Sequence, residues 1–109
     1  MRLSQLETFV AVAEHGSMVA AARALAYSTS TVSTHVRALE RQTGVTLVAR
    51  SSDGCGLTAG GRALVDVAQR ILALHASLAT VAAAATARRG AADGGTAQAR
   101  HPGSAPVRG

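Results

Sequence analysis

Three short runs of apolar residues at helical spacing follow one another closely between the N-terminus and Gly44. The first run ends at Gly16, the second at a turn around Tyr27, and the third at Gly44. Helices this short are not stable alone, so their apolar stripes must pack on one another. The chain has one Phe, one Tyr and no Trp, so the core must be built from Leu, Val, Ile and Ala. The sequence therefore predicts a small, mainly α-helical domain.

Capping residues suggest where the helices begin. Ser4-Gln5-Leu6-Glu7 has the pattern of a capping box, which predicts that the first helix starts after Ser4. Ser17 is placed to cap a second helix that runs to Leu25, and Ser28 starts a third helix. The inward faces of the second and third helices are predicted to be Ala21, Ala22 and Leu25, and Val32, Val36 and Leu39.

A small β-hairpin is predicted after the third helix. Residues 45–49 are rich in β-branched side chains and indicate a strand. Residues 51–56 contain Asp53-Gly54, a frequent hairpin tip, and Leu57 begins the return strand. Thr58 is then placed to cap a fourth helix.

The apolar pattern changes from residue 59 onward. Spacings of four and three alternate, which predicts a long helix that packs along a partner helix; the predicted seam is Leu64, Ala68, Ile71, His75, Leu78, Ala82 and Ala85. Polar side chains interrupt residues 71–87, so we expect a poor membrane span. The expected organisation is a head at residues 1–58, a dimerisation helix at 59–88 and a disordered low-complexity tail at 89–109.

The start of the third helix is unusually rich in hydroxyl groups: Ser28, Thr29, Ser30, Thr31, Ser33 and Thr34, with His35 beside them. Hydroxyl groups suit phosphate oxygens and base edges, and a helix N-terminus attracts phosphate. Arg37 and Arg41 follow on the next turns, and the small residues Ala20, Ala21, Ala22 and Ala24 allow the second helix to pack closely. This pattern predicts a helix-turn-helix whose second helix enters the DNA major groove. The same residues also fit caps and a solvated charged face, an alternative that stays open here.

Charge and chemistry narrow the class of protein. The net charge is +5, compatible with a polyanionic partner, but residues 1–58 contribute only +1 and residues 59–109 contribute +4. Cys55 is the single cysteine, so no intramolecular disulfide is possible, and we expect a surface thiol. No catalytic triad, carboxylate pair, metal-ligand spacing or phosphate loop is present. We therefore expect a soluble cytoplasmic protein that is not an enzyme and takes no cofactor or metal.

From about residue 3 to about residue 85, the sequence resembles the N-terminal region of LysR-type transcriptional regulators. The segments that carry the resemblance agree in order and distance: Leu3-Ser4-Gln5-Leu6-Glu7-Thr8-Phe9, Ala21-Ala22-Arg23-Ala24-Leu25, Ser28, Val32-Ser33-Thr34-His35-Val36-Arg37-Ala38-Leu39-Glu40, Gly44-Val45-Thr46-Leu47, Arg50, Leu57-Thr58 and Gly61. The resemblance implies a winged helix-turn-helix, a long dimerising linker helix and binding to palindromic promoter DNA. It also implies a wing from Arg50 to Gly56, with Asp53 where the family usually carries basic residues.

The residues and the resemblance together give a candidate DNA-binding set: Ser28, Thr29, Ser30, Thr31, Ser33, Thr34, His35, Arg37 and Arg50. The candidate dimerisation set is Leu64, Ala68, Ile71, His75, Leu78 and Ala82. The expected partners are double-stranded DNA and a second copy or a relative, joined through residues 59–88, with no membrane. LysR-type proteins continue into a separate effector-binding domain, whereas this sequence turns to low complexity at about residue 89. We therefore expect a regulator without that domain, and no small-molecule effector for this chain. The alternative is an interaction module that sequesters full-length relatives in mixed dimers, with little DNA binding of its own.

Overall fold

The structure, a computed structural model, describes residues 1–51 and 54–93. The elements in chain order are α1 (Leu3–His15), α2 (Met18–Leu25), α3 (Thr29–Thr43), β1 (Val48–Ser51), β2 (Gly54–Leu57) and α4 (Ala59–Asp93). The two strands form an antiparallel hairpin in which Val48 pairs with Leu57. This order confirms the predicted fold of three helices, a hairpin and a long helix. Asp53 and the predicted tail from residue 94 onward lie outside the described residues.

The chain forms two compact units, Met1–Ala73 and a second that begins at Leu74. In the first unit, α1, α2 and α3 pack around an apolar core. Its largest fully buried apolar side chains are Phe9, Leu47, Val12, Val32 and Val36. The predicted inward faces of α2 and α3 are confirmed, since Leu25 is half-buried against the core and the other predicted residues are buried: Ala21, Ala22, Val32, Val36 and Leu39.

The start of α1 differs from the prediction. Helix α1 begins at Leu3, and the side-chain oxygen of Gln5 accepts a hydrogen bond from the Arg2 N–H at 3.2 Å. The predicted Ser4 cap is wrong, because Ser4 lies inside the helix. Its carbonyl oxygen accepts from the Thr8 hydroxyl at 2.8 Å. The same hydroxyl contacts His35 of α3, so this contact is connected to the first turn of α1.

Ser17 caps α2 as predicted, and Ser28, the predicted start of the third helix, is the N-cap of α3. The hydroxyls of Ser17 and Ser28 each accept the backbone N–H three residues on, at 2.9 and 3.1 Å. Gly16 and Gly44 end α1 and α3 with φ of +74° and +73°. Glycine adopts this left-handed conformation without the steric penalty that a side chain brings.

Strand β1 begins at Val48, three residues later than predicted, and residues 45–47 form a connection instead. The side chain of Leu47 is fully buried. Its N–H donates to the Glu40 carboxylate at 2.8 Å, and its carbonyl accepts from the Thr58 N–H at 3.0 Å. Because these bonds satisfy the buried backbone of Leu47, it needs no strand partner.

Helix α4 starts in close contact with this connection. A methyl group built at Gly61 would lie 2.1 Å from the Leu47 carbonyl oxygen, and one at Gly60 would lie 2.4 Å from the Val45 side chain. Further along, Ala68 is buried, with the half-buried Leu64, Val65 and Leu72 packed against the same core. The first unit therefore extends to Ala73, well beyond the predicted head of residues 1–58.

In the second unit the large side chains of α4 are exposed. Leu74, Leu78 and Val81 are 71%, 66% and 64% exposed. By length and composition, Ala59–Arg88 is apolar enough to cross a membrane, with a mean hydropathy of 1.4 over an 18-residue window that is not buried. The helix ends at Asp93, beyond the predicted end at residue 88.

We predict that Gly61→Ala destabilises the head. The added methyl group would overlap the Leu47 carbonyl, so the backbone must shift, at a cost of about 1–3 kcal/mol in the free energy of unfolding. Urea denaturation followed by circular dichroism at one protein concentration measures this cost. Gly56→Ala is the matched control, because nothing lies within 4 Å of a methyl group at Gly56. Equal stability of the two variants would contradict the close contact.

Candidate nucleic-acid interface

The turn between α2 and α3 is a tight reversal closed by backbone hydrogen bonds. The Tyr27 N–H donates to the Ala22 carbonyl at 2.9 Å, and the Ala26 N–H to the Arg23 carbonyl at 3.4 Å. This pair of bonds is the Schellman arrangement, which needs a left-handed residue. Ala26 takes that role with φ of +60°, although alanine gives no sequence signal for this conformation. The turn sets the angle between the two helices of the motif.

The N-terminus of α3 divides its hydroxyl groups between capping and solvent. Ser28 accepts from the Thr31 N–H and donates to the Thr31 hydroxyl at 2.9 Å, so both residues serve the cap. Thr29, Ser30 and Thr34 are exposed. Within the described residues, the hydroxyls of Thr29 and Thr34 form no hydrogen bond, so both are available to an external partner.

The outer face of α3 comprises Thr29, Ser30, Ser33, Thr34, Arg37 and Arg41, which are exposed or half-buried. Arg37 donates to the Ser33 hydroxyl at 3.1 Å from within the helix. Arg50, on β1, donates to the same oxygen at 2.9 Å. The structure thus brings Ser33, Arg37 and Arg50 together, although Arg50 lies on a different element.

The one acidic residue of α3, Glu40, is bonded to the backbone that follows the helix. The Glu40 carboxylate accepts from the N–H groups of Leu47 at 2.8 Å and Val48 at 3.4 Å. Its charge is therefore engaged by the connection that leads to β1. Arg37, Arg41 and Arg50 remain exposed, and the described residues provide none of them with an ion-pair partner. The outer face of α3 is consequently positive, as a surface that binds phosphate must be.

His35 occupies a different position from the rest of the candidate set. It is half-buried, its Nδ1 lies 2.8 Å from the Thr8 hydroxyl of α1, and its ring meets Tyr27 edge-on at 5.3 Å. The structure therefore places His35 between α3 and α1 rather than on the outer face of α3. Sequence reasoning missed Thr8, because a single threonine on an apolar helix face carries no signal of a partner 27 residues away.

The hydrogen bonds of Thr8 determine which ring nitrogen of His35 carries a hydrogen. A threonine hydroxyl has one hydrogen, and that of Thr8 points to the Ser4 carbonyl at 2.8 Å, which can only accept. Thr8 must therefore accept from His35, so Nδ1 carries the hydrogen. This arrangement ties the middle of α3 to α1 and fixes the rotation of α3 about its axis.

The hairpin is attached to the turn after α1. The Cys55 N–H donates to the Gly16 carbonyl at 3.0 Å, and a methyl group at Gly54 would lie 2.7 Å from the same oxygen. Cys55 is half-buried against the core rather than the surface thiol that the sequence suggested. Asp53, the predicted wing tip, lies outside the described residues. Within residues 1–51 and 54–93, no group of three His, Cys, Asp or Glu side chains has the geometry to hold a metal ion.

Comparison with known proteins identifies relatives of this arrangement. Residues 3–62 match the family described as "Bacterial regulatory helix-turn-helix protein, lysR family". The HTH-type transcriptional regulator TcbR of Pseudomonas sp. (strain P51) is 46% identical over 74 residues, which are 68% of this chain and 25% of TcbR. The probable HTH-type transcriptional regulator LrrA of Synechococcus elongatus is 41% identical over 78 residues, 72% of this chain and 26% of LrrA. The chain therefore spans about a quarter of the length of these relatives.

Solved structures match the same region. The DNA-binding domain of CbnR, solved in complex with DNA, superimposes with a TM-score of 0.76 at 42% identity, covering 79% of this chain and 99% of that domain. Full-length CbnR, a LysR family transcriptional regulator, gives a TM-score of 0.74 over 77% of this chain and 29% of its own. These matches confirm the resemblance found in the sequence. They also agree with the expectation of a regulator rather than an enzyme.

We predict that Thr8→Val weakens the attachment of α3 to α1. Valine has nearly the shape of threonine but cannot accept the His35 N–H, so the free energy of unfolding should fall by about 1–2 kcal/mol. In the parent, ¹⁵N NMR of the neutral imidazole should show the hydrogen on Nδ1, and in the variant this preference should weaken. His35→Gln with Thr8 intact is the control, because a side-chain amide can also donate to Thr8. A neutral parent ring protonated at Nε2 alone would contradict the assignment.

Proposed function

Because the chain belongs to the LysR family of bacterial regulatory helix-turn-helix proteins, we propose that it regulates transcription by binding double-stranded promoter DNA in a sequence-specific manner. The observation that carries this proposal is the outer face of α3. Free hydroxyl groups lie on it beside Arg37 and Arg41, and Arg50 of the hairpin reaches it. The relatives are named as regulators, and the matched region includes a domain solved on DNA.

In the proposed complex, the N-terminal half of α3 lies in the major groove. Thr29, Ser30, Ser33 and Thr34 face the base edges, while Arg37 and Arg50 contact the flanking phosphates. Ser28, Thr31 and His35 support this surface from within the protein, because their hydrogen bonds cap α3 or hold it against α1. The hairpin then runs along the DNA backbone as a wing.

We predict that Arg37→Ala weakens binding mainly through lost phosphate contact. The slope of log K against log salt should fall by about one unit for each bound chain, and the loss of affinity should shrink as the salt concentration rises. A salt titration by fluorescence anisotropy, using a duplex taken from beside the protein's own gene, measures both effects. Arg70→Ala removes one charge from α4 and should leave the slope unchanged. Identical slopes for parent and Arg37→Ala would remove Arg37 from the interface.

We also propose that the chain pairs with a second copy through α4. Leu74, Leu78 and Val81 follow the 4-3 spacing of a helix-pairing seam and are exposed in the second unit. In the first unit, Val67 and Ile71 are 43% and 38% exposed and precede them in the same spacing. This seam differs from the predicted one, because the structure places Ala68 in the core of the head and Leu64 against it. Among the predicted members, His75 and Ala82 flank the new seam, while Ile71 and Leu78 lie within it.

The apolarity of α4 also fits a membrane span by composition, but its pattern favours helix pairing. A membrane-spanning helix is apolar all round, whereas a pairing helix is apolar along one stripe. Between residues 74 and 88 the large apolar side chains are Leu74, Leu78 and Val81, and the remaining positions are alanine or polar. A pair of recognition helices related by two-fold symmetry matches a palindromic site.

We predict that Leu74→Asp combined with Leu78→Asp gives monomers, since each aspartate would bury a charge in the seam. Sedimentation velocity should show a dimer for the parent and a monomer for the variant. Ala76→Asp is the control, because it places one aspartate on the opposite side of the helix. A dimer that survives the double substitution would exclude this seam. A parent that partitions into lipid vesicles instead would favour the membrane alternative.

A second candidate function rests on the same exposed seam. A chain that pairs through α4 but binds DNA weakly would sequester full-length relatives in mixed dimers. The charge of only +1 on residues 1–58 favours this candidate, and the positive outer face of α3 favours direct binding. A gel shift with DNA from beside the protein's own gene, with and without a full-length relative, separates the two candidates. Direct binding gives a shift with the chain alone, whereas sequestration gives no shift alone and weakens the shift of the relative.

We propose no small-molecule effector site within the described residues. The apolar pocket between α1, α3 and the start of α4 has a volume of about 120 Å³, and the polar depression beside Arg41 has about 260 Å³. Both fall below the roughly 300 Å³ at which pockets begin to enclose drug-sized ligands.

A further inference from the structure

Two guanidinium groups from different elements converge on one hydroxyl. The Ser33 Oγ accepts from Arg37 Nη1 at 3.1 Å and from Arg50 Nη2 at 2.9 Å. Arg37 lies one turn after Ser33 on α3, whereas Arg50 reaches across from the hairpin, 17 residues away. Both arginines are exposed and Ser33 is half-buried, so the hydroxyl lies inward of the two charged groups.

The two bonds decide what Ser33 can still do. A serine hydroxyl has two acceptor lone pairs and one hydrogen to donate. With both lone pairs occupied by guanidinium N–H groups, the hydrogen is the remaining bonding capacity. Within the described residues it has no acceptor, so it is available to an external partner. That partner must supply a lone pair.

We propose that Ser33 is a donor-only reader of a base edge, and that Arg50 is the positioning residue that makes it so. The inference rests on the proposed DNA binding and deepens it. Arg50 lies on the wing strand, yet it determines which bases the recognition helix accepts. Arg37 occupies the second lone pair, so the Ser33 hydroxyl can no longer accept a hydrogen bond and can only donate one.

Charge and reach place the acceptor on a base rather than on a phosphate. Each guanidinium retains further N–H groups after bonding Ser33, and these form stronger, charge-assisted bonds to phosphates than a neutral hydroxyl does. Phosphates at the groove edge are therefore taken by the two long arginines. The two like charges also repel each other, and Glu40 is engaged with Leu47 and Val48, so phosphates supply the neutralising charge. The short Ser33 side chain is left facing the base edges between them.

The restriction has a specific consequence for sequence. In the major groove, guanine, thymine and adenine each present an acceptor atom, whereas cytosine presents an amino donor. A hydroxyl that can both donate and accept tolerates all four bases, but a donor-only hydroxyl finds no partner on cytosine. Cytosine is therefore excluded at the base that Ser33 contacts.

The test uses the full chain and duplex DNA with randomised sequence. Selection with the parent and with Ser33→Ala identifies the position at which preference is lost, and affinities for the four bases are then measured there. For the parent we expect cytosine to bind roughly 3- to 10-fold more weakly than the best base, the value of one hydrogen bond. Arg50→Met frees one lone pair, so this discrimination should fall below about twofold.

Arg41→Met is the matched control. It removes the same charge from the outer face of α3 but leaves the bonds of Ser33 intact. Affinity should fall on every sequence while the exclusion of cytosine persists. Arg50→Lys should also preserve the exclusion, because one ammonium N–H is enough to occupy the lone pair. Thermal melts of all variants report whether the fold is retained. We expect it to be retained, because the substituted arginines are exposed.

Three results overturn the proposal. If Ser33→Ala weakens binding equally on all sequences, Ser33 contacts a phosphate. If Arg50→Met and Arg41→Met leave the same base preference, Arg50 does not act through Ser33. If the parent binds no duplex at all, the proposed DNA-binding function itself fails, and the inference fails with it. The proposal is supported if Arg50→Met loses the discrimination against cytosine while Arg41→Met and Arg50→Lys keep it.

Discussion

The presentation of α3 depends on the burial of its apolar face in the core formed with α1. Val32 and Val36 are at most 1% exposed, and each buried side chain of this size contributes about 1.5–3 kcal/mol. A single hydrogen bond, such as that between Thr8 and His35, contributes about 1 kcal/mol. Burial therefore docks the helix, and the hydrogen bond refines its rotation. The helical period that turns these valines inward necessarily turns Ser30, Thr34 and Arg37 outward.

Leu47 links the recognition helix to the rest of the head. Its side chain is fully buried, its N–H bonds Glu40 of α3, and its carbonyl bonds Thr58 and packs against Gly61. One residue thus fixes the end of α3, the entry to the hairpin and the start of α4. Because the hairpin is held at this point, Arg50 lies within reach of Ser33. The positive outer face of α3 is therefore assembled from two elements, and its geometry depends on a residue that never meets solvent.

Helix α4 serves two purposes along its length. In the first unit, Ala68 is buried and Leu72 packs against the core of the head, while in the second unit Leu74 and Leu78 are exposed. Alternating spacings of four and three fit more than one stripe along such an alanine-rich helix. The sequence pattern indicated that α4 packs against something. It did not indicate which residues of α4 pack against the core of the first unit, because that depends on the close approach of α4 permitted by Gly61.

The sequence by itself determined the order of the elements, the cap at Ser17, the start of α3 beside Ser28, and the buried stripe of α3. These features depend on residues within a few positions of one another, where helical period and capping act. Tertiary structure alone decided that His35 faces Thr8 and that Ser33 is shared with Arg50. It also decided that the residues before Val48 stay out of the sheet and that α4 buries Ala68. Each of these depends on groups distant in the chain, and only the packed core brings such groups within bonding distance.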